Sequence, residues 1–137
     1  MGRFENHEIA FDIPDGWTDA SLTSFVFPEA KTNIALAKRK AEVGIPIDAY
    51  TTSLVHALRQ AYPDLAMIER REVRVGATVG EQITVECDHT SARMRNIVVV
   101  ALRGAELWSL AATIPVAQRE AAEQVVTHAL GTFEVLP

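Results

Sequence analysis

The sequence predicts an α+β domain in which one antiparallel sheet is flanked by helices. Three observations lead to this prediction: seven runs have the composition or alternation of strands, two segments have the period of amphipathic helices, and 137 residues is the usual size of one domain. The predicted order is βββαββββα, without repeats, linkers or low-complexity segments. One sheet with helices packed against it is the simplest architecture for that order, so residues 1–137 are interpreted as a single domain.

The first three predicted strands form a meander. In residues 9–13 every second side chain is large and apolar, which is the period of a half-buried strand, and the Pro-Asp-Gly sequence at 14–16 ends it with a turn. Residues 22–27 are predicted as the second strand, ended by Pro28, and residues 34–39 as the third. Because the connections are short and polar, we expect antiparallel pairing.

Two segments have the period of an amphipathic helix. In the first, Asp48 is placed to cap the first turn, Pro63 lies just beyond the end, and apolar or small residues fall four, four and three positions apart at Tyr50, Leu54, Leu58 and Ala61. The second runs from about Pro115 to Leu130 and ends at Gly131. Its apolar stripe consists of Ala122, Val125, Val126 and Ala129.

Four further strands are predicted between the two helices. Each is rich in β-branched or large apolar residues, and turns around Gly76 and Gly104 and the polar segment 89–93 separate them. The predicted ranges are 68–75, 79–88, 94–102 and 106–114. These strands complete the predicted order.

Charge and composition exclude several classes of partner. The net charge of −5 disfavours a nucleic-acid-binding role, because phosphate binding draws on clustered Lys and Arg. The longest apolar run, residues 97–102, is far shorter than the roughly 20 residues that cross a bilayer, so we expect no direct membrane insertion. The first residues lack the apolar core of a signal peptide, and the single Cys87 cannot form an internal disulfide. These features predict a cytoplasmic protein.

No motif predicts catalysis, a cofactor or a metal site. The histidines are scattered over different predicted elements, at His7, His56, His89 and His128. Cys87 alternates with Val85 and Ile83 on one face of a strand, which predicts a buried, small apolar residue. Nucleophile-elbow, phosphate-loop and HExxH sequences are absent. We therefore expect a protein that is not an enzyme.

The first strands carry apolar or small residues on both faces. In residues 22–27, Phe25 and Phe27 mark the face directed to the core, and the third strand alternates Ile34 and Leu36 with alanines. An antiparallel sheet of this kind is covered on both sides. Either the two helices lie on opposite faces and cover the sheet alone, or a second subunit or partner protein covers the rest. The candidate partner-binding residues on the second face are Leu22, Ser24, Val26, Ala35 and Ala37.

Residues 11–21 resemble the opening of the DcrB-like (DUF1795) family, in which a strand is followed by Ile-Pro-x-x-Trp-x-Asp-x-Ser. Phe25 and Pro28 extend the match. The Arg-Asn-Ile-Val-Val sequence at 95–99 is similar to the family's Arg-Gln-Val strand entry, and Thr-Ile-Pro at 113–115 resembles the Thr-x-Pro that precedes its last helix. The resemblance extends over nearly the whole chain.

This resemblance implies a Mog1/PsbP-like fold. It also implies the function of the family's Eag-type members, which are cytoplasmic chaperones whose paired protomers form a cradle around the hydrophobic N-terminal helices of a type VI secretion effector. The implied client contacts include Leu22, Ser24 and Ala35. Ser24 and Ala35 stand where larger aliphatic residues occur in the family, and Asn96 stands where Gln is common.

Two other functions remain open from the sequence. One is a small-molecule carrier or enzyme that uses a pocket between the sheet and a helix. The other is a regulatory module of the same fold that binds a soluble protein.

Overall fold

The computed structural model describes residues 2–5, 9–13, 18–21, 24–27, 30–89 and 92–135. The helices are α1 (Ile47–Ala61) and α2 (Arg119–Gly131), the latter preceded by a 3-10 turn at Val116–Gln118. The strands are β1 (Gly2–Glu5), β2 (Ile9–Ile13), β3 (Thr18–Ser21), β4 (Ser24–Phe27), β5 (Thr32–Lys40), β6 (Ala66–Val75), β7 (Thr78–His89), β8 (Ala92–Arg103), β9 (Glu106–Pro115) and β10 (Glu134–Val135).

The described strands form two antiparallel sheets. The larger has seven strands in the order β3-β4-β5-β9-β8-β7-β6, and the smaller has three in the order β1-β2-β10. The hairpins β6-β7 and β8-β9 turn at Gly76 and Gly104, whose φ angles of 63° and 59° lie in the left-handed region that glycine adopts without strain. The predicted class, α+β with the order βββαββββα, is confirmed, because every predicted strand and both helices are present.

Three short strands, β1, β3 and β10, are not predicted from the sequence. They contain four, four and two residues, too few for an alternation to be recognised. The predicted second strand begins at Ser24 among the described residues, whereas Leu22 and Thr23 lie outside them. The predicted turn at 14–16 lies outside them as well.

Both helices begin differently from the prediction. Helix α1 begins at Ile47 with Pro46 in the N-cap position, and no side chain caps it, so the prediction that Asp48 is the cap is wrong. Asp48 instead lies in the first turn, where its charge complements the positive end of the helix dipole. At the second helix, a 3-10 turn takes up the residues after Pro115 and the α-helix begins at Arg119.

Two hydrophobic clusters lie on opposite faces of the large sheet. Helix α2 packs on one face, where its buried residues Ala122, Val126, Ala129 and Leu130 join a core that includes Phe11, Phe25, Ile34, Leu110, Ile114 and Phe133. Helix α1 packs on the other face, against Ile83, Val85, Val98 and Val100. The helices therefore lie on opposite faces, and Phe25 belongs to the core as predicted. The side chain of Phe27 lies outside the described part of the chain.

Arg70 fixes the position of α1 on its face. This β6 side chain donates to Glu81 Oε1 on β7 at 2.9 Å, to Thr52 Oγ1 at 3.0 Å and to the Asp48 carbonyl oxygen at 3.0 Å. One guanidinium thus joins two strands to the first turns of the helix. These contacts hold α1 toward the β6 edge of the sheet.

A buried ion-pair network connects α2 to the sheet on the other face. The Arg95 side chain is only 8% exposed and contacts Glu86 Oε2 at 2.7 Å and Glu123 Oε1 at 2.6 Å. Arg119 completes the network at 2.8 Å from Glu123 Oε2. Burial opposes ionisation of Glu123, but hydrogen bonds from Arg119 and Arg95 outweigh it, and the net effect is a lowered pKa of that carboxyl.

We predict that Arg95→Met lowers the free energy of unfolding by about 3 kcal/mol, because it leaves the carboxylates of Glu86 and Glu123 without their shared cation. Urea denaturation measures the loss. Arg103→Met, on the same strand, is the matched control and should change the stability by less than about 0.5 kcal/mol. Equal losses for the two variants would contradict a structural role for the network.

The lowered pKa of Glu123 predicts a specific acid dependence. Ionised Glu123 contributes stability above the ordinary glutamate pKa of about 4.3, and this contribution is lost as the pH falls through the lowered native pKa. Thermal unfolding followed from neutral pH to about pH 3 should therefore show a shallower acid decline for Glu123→Gln than for the unmodified protein. Parallel declines would mean that Glu123 titrates alike in the folded and unfolded chains.

Candidate functional site

Helix α1 covers only part of the sheet face on which it lies. It packs against β7 and β8, and the same face continues beyond it over β9, β5 and β4. The register establishes this continuity: Ala35 pairs with Ser24 on β4 and with Ala111 on β9, and Ala111 pairs with Val98, which lies under α1. Cross-strand partners share a side of a sheet. We call this side of the three strands the open face; its residues are Ser24, Val26, Asn33, Ala35, Ala37, Ser109, Ala111 and Thr113.

Four of the five candidate residues from the sequence analysis lie together on the open face. Ala35 and Ala37 are exposed, and Ser24 and Val26 are half-buried. Phe25, between the latter two, points to the opposite side and is 4% exposed. The fifth candidate, Leu22, lies outside the described residues. The predicted division of these strands into a core face and a second face therefore holds for the residues that the structure describes.

A groove of about 680 Å³ runs along the junction of α1 and the open face. Its wall is one flank of α1, which contributes Tyr50, Ser53, Leu54, Ala57 and Leu58. Its floor comes from β8 and β9 and consists of Asn96, Val98, Val100, Leu107, Ser109, Ala111 and Thr113. None of these residues is among the binding candidates predicted from the sequence. The sequence does contain one signal for this groove. Ser53 and Ala57, four positions apart on α1, are small side chains that allow another element to pack closely against that flank of the helix.

The two ends of the groove differ in charge. At one end the Arg39 guanidinium lies over the Tyr50 ring, 5.8 Å from its centroid, and the Tyr50 hydroxyl accepts a hydrogen bond from the Glu42 backbone N–H at 2.6 Å. No acidic side chain among the described residues forms an ion pair with Arg39. At the other end the His89 ring is stacked against Tyr62 at a centroid distance of 4.7 Å. The groove thus has a cationic end at Arg39 and an aromatic end at His89 and Tyr62.

One polar atom at the end of the groove has no hydrogen-bond partner within the described part of the chain. It is His89 Nε2, which is buried. A buried polar atom without a partner costs free energy, so such atoms in a groove favour an occupant that supplies a donor or acceptor. Ser109, Asn96 and Thr113 place further hydroxyl and amide groups along the same floor. The floor is therefore apolar with isolated hydrogen-bonding positions.

The other residues considered for chemistry are dispersed. No three His, Cys, Asp or Glu side chains lie close enough together to hold a metal ion among the residues that the structure describes. His56 and His128 are exposed on different helices, and His7 lies outside the described residues. Cys87 is fully buried beside Val85, as predicted, and burial is the main cause that raises the pKa of its thiol.

None of the described helices has the length and apolar composition needed to cross a membrane. The longest, α1, has 15 residues and a polar outer side.

Comparison with known proteins identifies a family and a fold. The sequence model of the family described as DcrB matches residues 8–132, and no curated protein matches the chain. The solution structure of cyanobacterial PsbP (CyanoP) from Synechocystis sp. PCC 6803 is similar with a TM-score of 0.72 at 10% identity, over 97% of this chain and 91% of that one.

Two further solved structures are similar over most of their length. The Saccharomyces cerevisiae Ran-binding protein Mog1p has a TM-score of 0.72 at 12% identity, covering 98% of this chain and 94% of its own. LpqN of Mycobacterium tuberculosis, which is involved in cell envelope biogenesis, has a TM-score of 0.74 at 12% identity, covering 94% and 83%. At these identities the likeness is one of fold, and that fold is the Mog1/PsbP-like fold expected from the sequence.

The buried position of Cys87 predicts a thiol that does not react in the native protein. A thiol-specific reagent such as DTNB at pH 8 should modify it more than about 100-fold more slowly than in denaturant, because the thiolate is disfavoured and a core strand must open first. Absorbance of the released thiolate measures the rate. Native labelling as fast as that of a free thiol would place Cys87 at an accessible surface.

Proposed function

The chain belongs to the DcrB family, and we propose that it is a cytoplasmic chaperone or adaptor that binds and shields the hydrophobic N-terminal helices of a type VI secretion effector. The observation that carries the proposal is the open face, where a sheet surface of small residues lies beside α1 with no described element packed over it. The motifs that resemble the Eag-type members give the partner its identity in this proposal. In more general terms, we propose that the domain is a protein-binding module.

The dimensions of the open face fit one helix. Its three strands lie about 4.8 Å apart, so the outer two are separated by about 10 Å, and a helix with its side chains is about 10–12 Å across. The exposed alanines at 35 and 37 allow a helix to approach the sheet closely. A helix placed there would lie beside α1 and cover the face in the way that α1 covers β7 and β8. Each Å² of apolar area that it removes from water contributes about 25 cal/mol.

Shielding of this kind requires no catalytic group, metal or cofactor. We propose that the domain has none, in keeping with the dispersed histidines and the buried thiol. In this proposal the protein acts through its shape and its apolar surface.

A second candidate function rests on the groove. Its volume of about 680 Å³ is within the range of small-molecule sites, and its apolar lining with a few polar groups is typical of them. A carrier of a small apolar ligand would use the same wall and floor. Mass spectrometry of the protein purified under native conditions distinguishes the two, since a carrier retains its ligand whereas an empty chaperone does not.

We predict that Ala35→Asp weakens binding of an apolar helical peptide of about 13 residues by at least about tenfold and leaves the fold intact. Ala35 is exposed in the free domain, whereas under a bound helix the new carboxylate would be buried without a partner. Fluorescence anisotropy reports binding and circular dichroism reports folding.

Two further variants serve as controls for this experiment. Ala121→Asp introduces the same charge at an exposed alanine of α2, away from the open face, and should bind as the unmodified protein does. Phe25→Asp places a charge in the core and should unfold the domain. If Ala35→Asp binds the peptide normally, the partner lies elsewhere; if it unfolds the domain, the face assignment is wrong.

We also predict a homodimer, because one protomer supplies a floor and a single wall, whereas a cradle requires a second wall from another copy. Light scattering at micromolar concentration should give twice the mass of 15.0 kDa. A monomer mass at all concentrations would leave a helix bound to one protomer exposed on its outer side, and would contradict the cradle.

A further inference from the structure

The direction of the groove follows from the pairing of its residues. Arg39 pairs with Leu107 near the start of β9, and it contacts Tyr50 in the first turns of α1. Thr113, near the end of β9, pairs with Asn96 and lines the same end of the groove as Tyr62, which follows the last residue of α1. Helix α1 and β9 therefore run in the same direction along the groove. The N-terminal, electropositive end of α1 coincides with the Arg39 end.

The length of the groove sets the length of the segment that it holds. Leu107 and Thr113 are six positions apart on β9, which corresponds to about 20 Å of extended strand. A helix of about 13 residues has the same length. The groove therefore accommodates three to four helical turns, with the ends of the segment placed near Arg39 and near His89.

Arg39 supplies a positive charge at its end of the groove. The Arg39 side chain has no acidic partner among the described residues, whereas its neighbour Lys38, on the other face of β5, is paired with Glu106 at 3.2 Å. The C-terminal end of a helix carries a partial negative charge and unpaired carbonyl groups, which cations stabilise. An antiparallel neighbour also places its dipole favourably against that of α1. The charge of Arg39 and the dipole of α1 therefore both favour a bound helix whose C-terminal end lies at Arg39.

We propose that the groove selects the direction of the helix it binds: the helix lies antiparallel to α1, with its C-terminal, acidic end against Arg39 and its N-terminal end at His89 and Tyr62. This inference rests on the proposed function, since it concerns the same face, and it adds a specificity-determining residue, Arg39. At the opposite end, His89 Nε2, which has no hydrogen-bond partner among the described residues, would accept from one of the free N–H groups of the first helical turn.

The test uses two synthetic peptides of about 13 Leu and Ala residues that differ only in the position of a Glu pair, at the C-terminal end in one and at the N-terminal end in the other. Each peptide is titrated into the unmodified protein, into Arg39→Glu and into Lys40→Glu, and anisotropy of an attached dye gives the affinity. Arg39 lines the groove, whereas the side chain of Lys40 is on the other face of β5. Because both residues are basic, the two variants change the net charge equally. Each peptide is compared with itself across the three proteins, so a difference in helix propensity between the two peptides does not affect the result.

We expect Arg39→Glu to weaken binding of the C-terminal-Glu peptide by about tenfold or more, from the loss of an ion pair and of the interaction with the helix end, and to weaken the N-terminal-Glu peptide by no more than about threefold, from the loss of the helix-end interaction alone. Lys40→Glu should affect neither beyond about twofold. Equal weakening of both peptides by Arg39→Glu would mean that each peptide places its acidic end at Arg39, so that the two bind in opposite directions. This result would overturn the directional proposal but not the proposed function.

Other outcomes separate this inference from the proposed function. If Lys40→Glu weakens the C-terminal-Glu peptide as much as Arg39→Glu does, the effect is one of overall charge and Arg39 is not the determinant. If neither peptide binds the unmodified protein, the proposed function fails together with this inference. Binding of oleate in the absence of binding by either peptide would assign the groove to a small amphiphile and overturn both.

Discussion

The width of the large sheet is the constraint on which the rest of the structure depends. Seven strands at about 4.8 Å spacing extend over about 29 Å, whereas a helix with its side chains covers about 10–12 Å. One helix on each face therefore leaves most of either face uncovered. On the side of α2, the small sheet and the aromatic residues Phe11 and Phe133 complete the cover. On the side of α1, no described element does the same for β9, β5 and β4.

The placement of α1 toward one edge converts this uncovered area into a site. Arg70 holds the first turns of the helix over β6 and β7, so the opposite flank of the helix stands as a wall beside the open face. A helix centred on the sheet would have left two narrow margins in place of one groove. The wall and the floor are held in different ways. The wall depends on the hydrophobic packing of α1 and on the hydrogen bonds of Arg70, whereas the floor depends on the register of the central strands.

The sequence predicted the parts of this arrangement that depend on local periodicity. Alternation in residues 22–27 and 34–39 divided those strands into two faces, and the described residues Phe25, Ala35 and Ala37 lie on the faces expected. The start of α1 was predicted wrongly because a proline at the N-cap position supplied the extended conformation that was assigned to Asp48. The short strands β1, β3 and β10 form through tertiary pairing, which leaves no period in so few residues.

The groove itself was beyond sequence reasoning for a physical reason. Its wall is positioned by contacts between residues distant in the sequence, among them those of Arg70 with α1 across 18 and 22 residues. Its cationic end exists because Arg39 and Tyr50 meet from different elements. In the sequence, Arg39 belongs to a run of three basic residues, 38–40, and nothing in that run distinguishes it from its neighbours. The pleat sends Lys38 to one face and Arg39 to the other, so one run of charge has two different surroundings.

The exposed alanines on β5 have a consequence for the protein without its partner. Leucine or phenylalanine at these positions would bind an apolar helix over a larger area, but would also expose an apolar surface through which empty molecules could associate. Ala35 and Ala37 present one methyl group each, so this part of the open face exposes little apolar area when it is empty. The bulky side chains that complete such a contact then belong to the bound helix. Most of the apolar area that association buries at these positions therefore comes from that helix.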